Sequence, residues 1–219
     1  MANEAELDLG QITSLVVAGW TGRDVAAVEK HIRELEAIGV KRPKSTPIFY
    51  RNAASLLTVA DRIEVLGEHS SGEIEFVLHA IGDELFVGLG SDHTDRKAET
   101  INVSLSKQMC AKPVSRKTWK FSDVDAHWDK LILRSHAHIG GERKLYQEGS
   151  VAAMRTPEEL IRLYTGGGKL KPGTSMFCGT LAVHGGIKPA TRFEMELHDP
   201  VLGRSIVHAY AIEILPDEG

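Results

Sequence analysis

Cysteine is scarce in this chain: of 219 residues only two are cysteines, Cys110 and Cys178. They stand far apart with no partner spacing, which argues against a disulfide framework and fits buried thiols in a reducing compartment. An excess of basic charge is also missing. The 26 Lys and Arg against 30 Asp and Glu leave a formal net charge of −4, which is no footprint for a phosphate backbone, so nucleic-acid binding is disfavoured. No run approaches the roughly eighteen apolar residues of a membrane-spanning helix. The opening MANEAELDLG is acidic and lacks the apolar stretch of a signal peptide, so a cytoplasmic protein is expected. Repeats and low-complexity tracts are absent. A phosphate-binding loop is absent too, because Gly166-Gly167-Gly168-Lys169 lacks the first glycine and the following Ser or Thr.

What is present reads as one domain over residues 1–219, large enough to bury a core. The 21 glycines and 8 prolines are spread evenly, a pattern of many short strands and turns. Residues 12–18 (ITSLVVA) are β-branched and apolar, a buried strand that Gly19 ends. Val25, Val28, Ile32 and Leu35 then recur at helical spacing, which predicts an amphipathic helix closing near Gly39. Strand-like runs follow at 48–51, 60–66, 73–78 and 85–89. Another strand is predicted from Trp128 to His136, turned by Gly140-Gly141 into a run around 144–147. Thr156-Pro157-Glu158-Glu159 opens a second helix, with a capping threonine, proline at the first position and glutamate at the third. It runs to about Tyr164 and stops at the glycines. Residues 174–180, 191–198 and 204–215 complete the strands, the last two joined by a turn at 199–203. The expected class is mixed α+β, mostly β, with two or three helices.

The pattern richest in chemistry is Glu73-Ile74-Glu75, followed by Asp92 seventeen residues after Glu75. Carboxylates at i and i+2 on a strand share a face, about 6–7 Å apart. A third carboxylate from a neighbouring segment makes an all-oxygen triad, the donor set of a hard cation such as Mg²⁺, Mn²⁺ or Ca²⁺.

Four motifs in order resemble the fumarylacetoacetate hydrolase superfamily from about residue 15 to 215. His31-Ile32-Arg33-Glu34 matches its HxxE helix. Glu73 and Glu75 in GEIEFVL match its ExE strand. Gly90-Ser91-Asp92-His93-Thr94-Asp95-Arg96-Lys97 matches its G-N-D-V-[ST]-x-R-D, and Leu170 to Leu181 matches its L-x-P-G-D-x-I-x-T-G-T-P. The resemblance implies a β-roll or sandwich with a few peripheral helices, and a metal held by Glu73, Glu75 and Asp92. The cation, Mg²⁺ or Mn²⁺ with Ca²⁺ also admitted, would polarise a keto or enolate oxygen. It further implies that Lys107 and Arg96 hold substrate oxygens and that the Gly179-Thr180 turn cradles a substrate carboxylate. On the His31 helix, Glu34 would orient the imidazole as it takes a proton from water. The implied activity is C–C bond hydrolysis of a small 2-oxo acid or acylpyruvate-like substrate. Decarboxylation, dehydration or tautomerisation of a related keto acid, or metal and carboxylate binding without turnover, are the alternatives. A homodimer without nucleic-acid or membrane partners is implied as well.

Three positions depart from the family pattern. Glu99 stands where a glutamine donates to an oxyanion, and a carboxylate cannot donate unless protonated. Arg51 in Phe49-Tyr50-Arg51-Asn52 replaces a lysine, and Leu181 replaces the proline after Gly-Thr. The stretch between ExE and the aspartate is short, which predicts a trimmed hairpin. Asp24, seven before His31, matches a metal-ligating aspartate of some members, or belongs to the first turn of the helix. His136 and His138 alternate as HAH, with exposed strand-end histidines the plainer reading. Cys110, His184 and the tryptophans Trp20 and Trp128 are read as packing or loop residues, Trp20 also as a possible flank of the substrate.

Overall fold

The computed structural model describes residues 4–37 and 42–218, with the side chains of His31, Glu34, Leu35 and Ala37 also outside the described residues. In chain order the first elements are β1 (Glu4–Glu6), β2 (Ser14–Gly19), α1 (Val25–Ala37), β3 (Ile48–Asn52), β4 (Leu57–Thr58), β5 (Arg62–Leu66) and β6 (Ser70–Ser71). The hairpin β7 (Ile74–Ile81) and β8 (Glu84–Ser91) follows, then β9 (Thr94–Asp95), α2 (Arg96–Glu99), α3 (Val103–Gln108), β10 (Lys112–Pro113) and β11 (Lys117–Lys120). The rest is β12 (Ile132–Ile139), β13 (Glu142–Ser150), α4 (Pro157–Thr165), β14 (Thr174–Thr180), β15 (Arg192–Asp199) and β16 (Arg204–Leu215).

Besides two small pairs, β10-β4 and β6-β9, two large sheets hold twelve of these strands. The larger has the order β1-β11-β8-β7-β14-β2-β3, the smaller β13-β12-β15-β16-β5. They meet through residues that alternate along each strand. Ile74, Phe76, Leu78 and Ala80 of β7, with Val87 and Leu89 of β8 and Met176 and Cys178 of β14, pack against Leu133, Ala137, Phe193, Leu197 and Tyr210. The opposite side of the large sheet is also covered. Leu15, Val17, Val77 and Phe177 form a second cluster with Leu7, Ile12, Leu57 and Val114. A strand buried on both faces has to be apolar almost throughout, which is why β7 reads IEFVLHAI. Glu75 and His79, both on the second face, break that run.

Local signals hold well. Thr156 Oγ1 accepts the N–H of Glu159 at 3.3 Å, and Gly166 ends α4 at φ 72°. Asp24 Oδ1 accepts the N–H groups of Ala26 and Ala27, each at 3.0 Å, so this aspartate caps α1. The short connection between the carboxylates is a tight hairpin: Ile81 pairs with Glu84, and Gly82 turns the chain at φ 57°.

Other expectations need correction. Trp128 lies in a 3₁₀ segment (Asp125–Lys130), and its strand begins only at Ile132. Its ring stands edge-on to Phe76, centroids 4.9 Å apart, so packing rather than strand pairing holds it there. Helices α2 and α3 add to the two or three expected. Each is too short for a periodic signal, and each is opened by a side-chain cap, Asp95 to Ala98 N at 2.7 Å and Asn102 to Leu105 N at 3.0 Å. No helix among the described residues is long and apolar enough to cross a membrane.

Candidate metal centre

Glu75 sits on β7 and Glu73 one residue before it begins. The backbone of Glu73 is tied to the end of β8: its carbonyl accepts from Asp92 N at 3.0 Å and its N–H donates to Ser91 Oγ at 3.2 Å. Asp92 follows the last residue of β8 and so lies opposite Glu73 across the hairpin. Three carboxylates thus crowd one corner of the second face, with one ligand oxygen from each lying within 4.8 Å of the others. Glu75 is 2% exposed and Asp92 not at all. Like charges this close and this dry repel strongly. Burial, and then the charges of Asp92 and Glu73, push the Glu75 carboxyl well above the ordinary range. An all-oxygen anionic donor set fits a hard divalent cation.

Cations of the protein surround the group. The chain leaves Asp92 through β9, α2 and α3 and returns as β10, carrying two lysines over the carboxylates. Lys107 Nζ of α3 donates to Asp92 Oδ2, lies 3.8 Å from Glu73 Oε2, and stands 5.9 Å from the centre of the Tyr50 ring. Lys112 Nζ of β10 is 2.9 Å from Asp92 Oδ1 and also donates to the His93 carbonyl, with no part of its side chain exposed. Burial pushes the Asp92 carboxyl up, but Lys107 and Lys112 outweigh it and hold the group below its ordinary range. Arg96 Nη2 lies 3.2 Å from Glu73 Oε1, its Nη1 donates to Glu99 Oε2 at 2.9 Å, and its Nε to Ser71 Oγ at 2.7 Å. Glu99, the departure from the family glutamine, is thereby the partner of Arg96.

The third element of the site is a bulge in β14. Phe177 pairs with Val77, but Thr180 rather than Gly179 pairs with Glu75, so β14 carries one extra residue. Gly179, at φ 101°, turns its N–H onto Glu75 Oε2 at 2.6 Å. Thr180 donates its hydroxyl to the Ile74 carbonyl at 2.7 Å and accepts from Gln147 Nε2 at 2.7 Å. The donors expected to cradle a substrate carboxylate are therefore engaged within the protein. A side chain at Gly179 would meet Thr21 Oγ1. Trp20, beside it, takes φ 57° and is the one non-glycine with positive φ among the described residues. Strained backbone of this kind concentrates at functional turns.

Some predicted residues come together and others do not. Glu73, Glu75, Asp92, Lys107 and Arg96 converge, with Gly179 and Thr180 at their edge. His31 and Glu34 fall on α1, and their side chains lie outside the described residues. Arg51 turns away: its Nη1 reaches Tyr164 of α4 at 3.3 Å, because successive residues of β3 face opposite sides and Tyr50 takes the side of Lys107. His138 pairs with Glu194 at 2.9 Å on the small sheet. Burial pushes the Cys110 thiol up to about 11, which keeps it from acting as a thiolate.

Sequence patterns alone missed Lys112, Gln147 and a buried polar chain. Gln147 donates to Thr180 and to the Leu181 carbonyl, each at 2.7 Å, and accepts from Ile74 N at 3.0 Å. His93 links Ser70 and Tyr210, each at 2.9 Å, and Tyr210 donates to Ser91 Oγ at 2.8 Å. Both ring nitrogens of His93 are thus engaged, Nδ1 with Tyr210 and Nε2 with Ser70. Burial, followed by the charges of Lys112 and Arg96, lowers its pKa to about 3, so this ring is neutral. The one available signal was polar side chains interrupting apolar strands, and it names no partner.

Residues 18–210 match the family model described as "Protein of unknown function (DUF2848)". No curated protein matches the sequence. Among solved structures, yeast ynq8, a fumarylacetoacetate hydrolase family protein, superposes with a TM-score of 0.66 at 20% identity, over 95% of this chain and 96% of that one. The 2-keto-3-deoxy-D-arabinonate dehydratase complexed with magnesium and 2,5-dioxopentanoate gives 0.64 at 16% identity, over 94% of this chain and 75% of that one. At such identities the likeness establishes the fold, the one the sequence motifs anticipated. The chain therefore belongs to the family described as protein of unknown function (DUF2848) and has the fumarylacetoacetate hydrolase fold.

Proposed function

We propose that this protein is a divalent-metal-dependent enzyme that hydrolyses a C–C bond in a small 2-oxo acid or acylpyruvate-like substrate. The observation that carries the reading is the convergence of Glu73, Glu75 and Asp92 with the Lys107 ammonium beside them. The cation these carboxylates would hold, Mg²⁺ or Mn²⁺, supplies Lewis-acid polarisation of a substrate oxygen. Lys107 then holds a substrate oxygen and opposes the negative charge that develops there. Arg96 keeps Glu73 oriented while facing the same charge. Gly179 and Thr180 border the substrate from a turn that Gln147 holds rigid. On α1, Glu34 orients His31, which takes the proton from the attacking water. A single catalytic domain and a homodimer belong to the same reading.

A second reading is dehydration, decarboxylation or tautomerisation of a related keto acid. The magnesium-bound relative of the same fold is a dehydratase, which favours dehydration among these. One screen tests both. Chelated protein is reloaded with Mg²⁺ or Mn²⁺ and offered acylpyruvates, oxaloacetate and deoxy-sugar keto acids. Turnover above the metal-free blank, lost in Asp92→Ala, is the expected result, and the product names the reaction. Metal binding with no turnover of any substrate class would reduce the protein to a binding module.

A further inference from the structure

The three carboxylates have one arrangement in common. Each has one oxygen that meets a group of the protein other than Lys107, by a hydrogen bond for Glu75 and by an ion pair for Glu73 and Asp92. For Glu73 that atom is Oε1, 3.2 Å from Arg96 Nη2. For Glu75 it is Oε2, which accepts the Gly179 N–H at 2.6 Å. For Asp92 it is Oδ1, which forms an ion pair with Lys112 Nζ at 2.9 Å without a hydrogen bond to any group among the described residues. The remaining Asp92 oxygen, Oδ2, accepts from Lys107, whose ammonium also faces Glu73 Oε2.

The two lysines are unlike. Lys107 keeps 8% of its side chain exposed and rests over the Tyr50 ring. Lys112 has no exposed surface and a second anchor in the His93 carbonyl. Withdrawing it would strand a buried carboxylate oxygen, so it stays.

We propose that Lys112 is a positioning residue that sets the ion selectivity of the centre. By keeping Oδ1 of Asp92 occupied it limits that carboxylate to one donor oxygen, and the site favours a small octahedral cation over Ca²⁺. The physical reason is coordination number. Mg²⁺ takes six ligands in a near-ideal octahedron, whereas Ca²⁺ takes six to eight and gains from carboxylates that bind through both oxygens. Three one-oxygen carboxylates leave three neighbouring positions for water or substrate, which suits the smaller ion. The inference rests on the metal reading above and adds the choice of ion to it.

Calorimetric titration of Mn²⁺, Mg²⁺ and Ca²⁺ into wild type, Lys112→Met, Lys107→Met and Glu75→Gln tests it. Wild type is expected to bind Mn²⁺ and Mg²⁺ ahead of Ca²⁺. Lys112→Met, with Oδ1 released, should narrow the Mn²⁺-to-Ca²⁺ affinity ratio by about tenfold, the usual scale for an outer partner of a metal ligand. Lys107→Met removes the same charge from Oδ2, so it should tighten both ions and leave the ratio within about threefold of wild type. An unchanged ratio in Lys112→Met, with binding heat present in wild type and lost in Glu75→Gln, would overturn the role of Lys112 and spare the metal reading. No binding heat in wild type overturns both. Where Lys112→Met does not fold, infrared carboxylate stretches of Ca²⁺-loaded wild type decide instead: one-oxygen coordination supports the proposal, and two-oxygen coordination at Asp92 sinks it.

Discussion

The N–H of Gly179 meets Oε2 of Glu75 at 2.6 Å, a contact made between residues 104 positions apart by one extra residue in β14. A side chain at position 179 has no place to go. Its Cβ would fall 1.7 Å from Thr21 Oγ1, and φ 101° strains any L-residue. Gly179→Ala is expected to cost at least about 3 kcal/mol, from backbone strain of about 1–3 kcal/mol plus the clash. Urea denaturation measures the loss. Thr21→Ala in the same chain should restore part of it by removing the clashing hydroxyl, whereas full restoration would show that backbone strain contributes nothing.

Gln147 is the buried fastener of that turn. Gln147→Leu keeps the approximate volume but leaves Ile74 N–H and the Leu181 carbonyl without partners. Each stranded group costs about 1–3 kcal/mol, so a loss near 3 kcal/mol is expected. A denaturation midpoint within error of wild type would mean that the turn holds without it.

Metal loading should matter more as pH rises. The Glu75 carboxyl is raised, mainly by burial and then by Asp92 and Glu73. A group whose folded pKa lies above its unfolded value contributes stability below the ordinary carboxylate range and loses it as pH climbs through the raised value. Chelated protein should therefore lose melting temperature across that climb, and added Mg²⁺ or Mn²⁺ should restore it increasingly. Glu75→Gln should flatten the trend. A metal-induced shift independent of pH would place the strain elsewhere.

Acid should attack from another direction. His79, buried with Nδ1 2.7 Å from Ser175 Oγ, and His93 both have pKa values lowered by burial from 6.5 to about 3. Depressed in the folded state, they contribute stability that is complete above pH 6.5 and drains away as pH falls toward 3. With two protons taken up on unfolding, the slope approaches about 2.7 kcal/mol per pH unit. Urea unfolding between pH 7 and pH 4.5 measures it, and His79→Met should remove about half. A flat profile over that interval would show that neither ring is held neutral.

The parts of this protein written in neighbouring residues were legible from the chain. The Thr156 cap and Gly166 stop bound α4, the alternation through 191–197 marks β15, and Glu73-Ile74-Glu75 puts two carboxylates on one side. Backbone periodicity and capping depend on contacts within a few residues, so spacing carries them. Asp92 was within reach as well, because a tight hairpin brings it back opposite Glu73.

The rest depends on distant pairing. Nothing near Gly179 announces that it will donate to Glu75, nor anything near Gln147 that it will hold Ile74 and Leu181 together. Arg51 and Tyr50 are adjacent, yet which of them faces Lys107 followed from which side of β3 met α3. Lys112 reads as an ordinary surface lysine before a proline until β10 lies beside β4 and seals it against Asp92. Spacing could name three carboxylates. What each of them meets is settled by partners between 15 and 104 residues away, because a buried charge takes whatever donor the folded chain brings within reach.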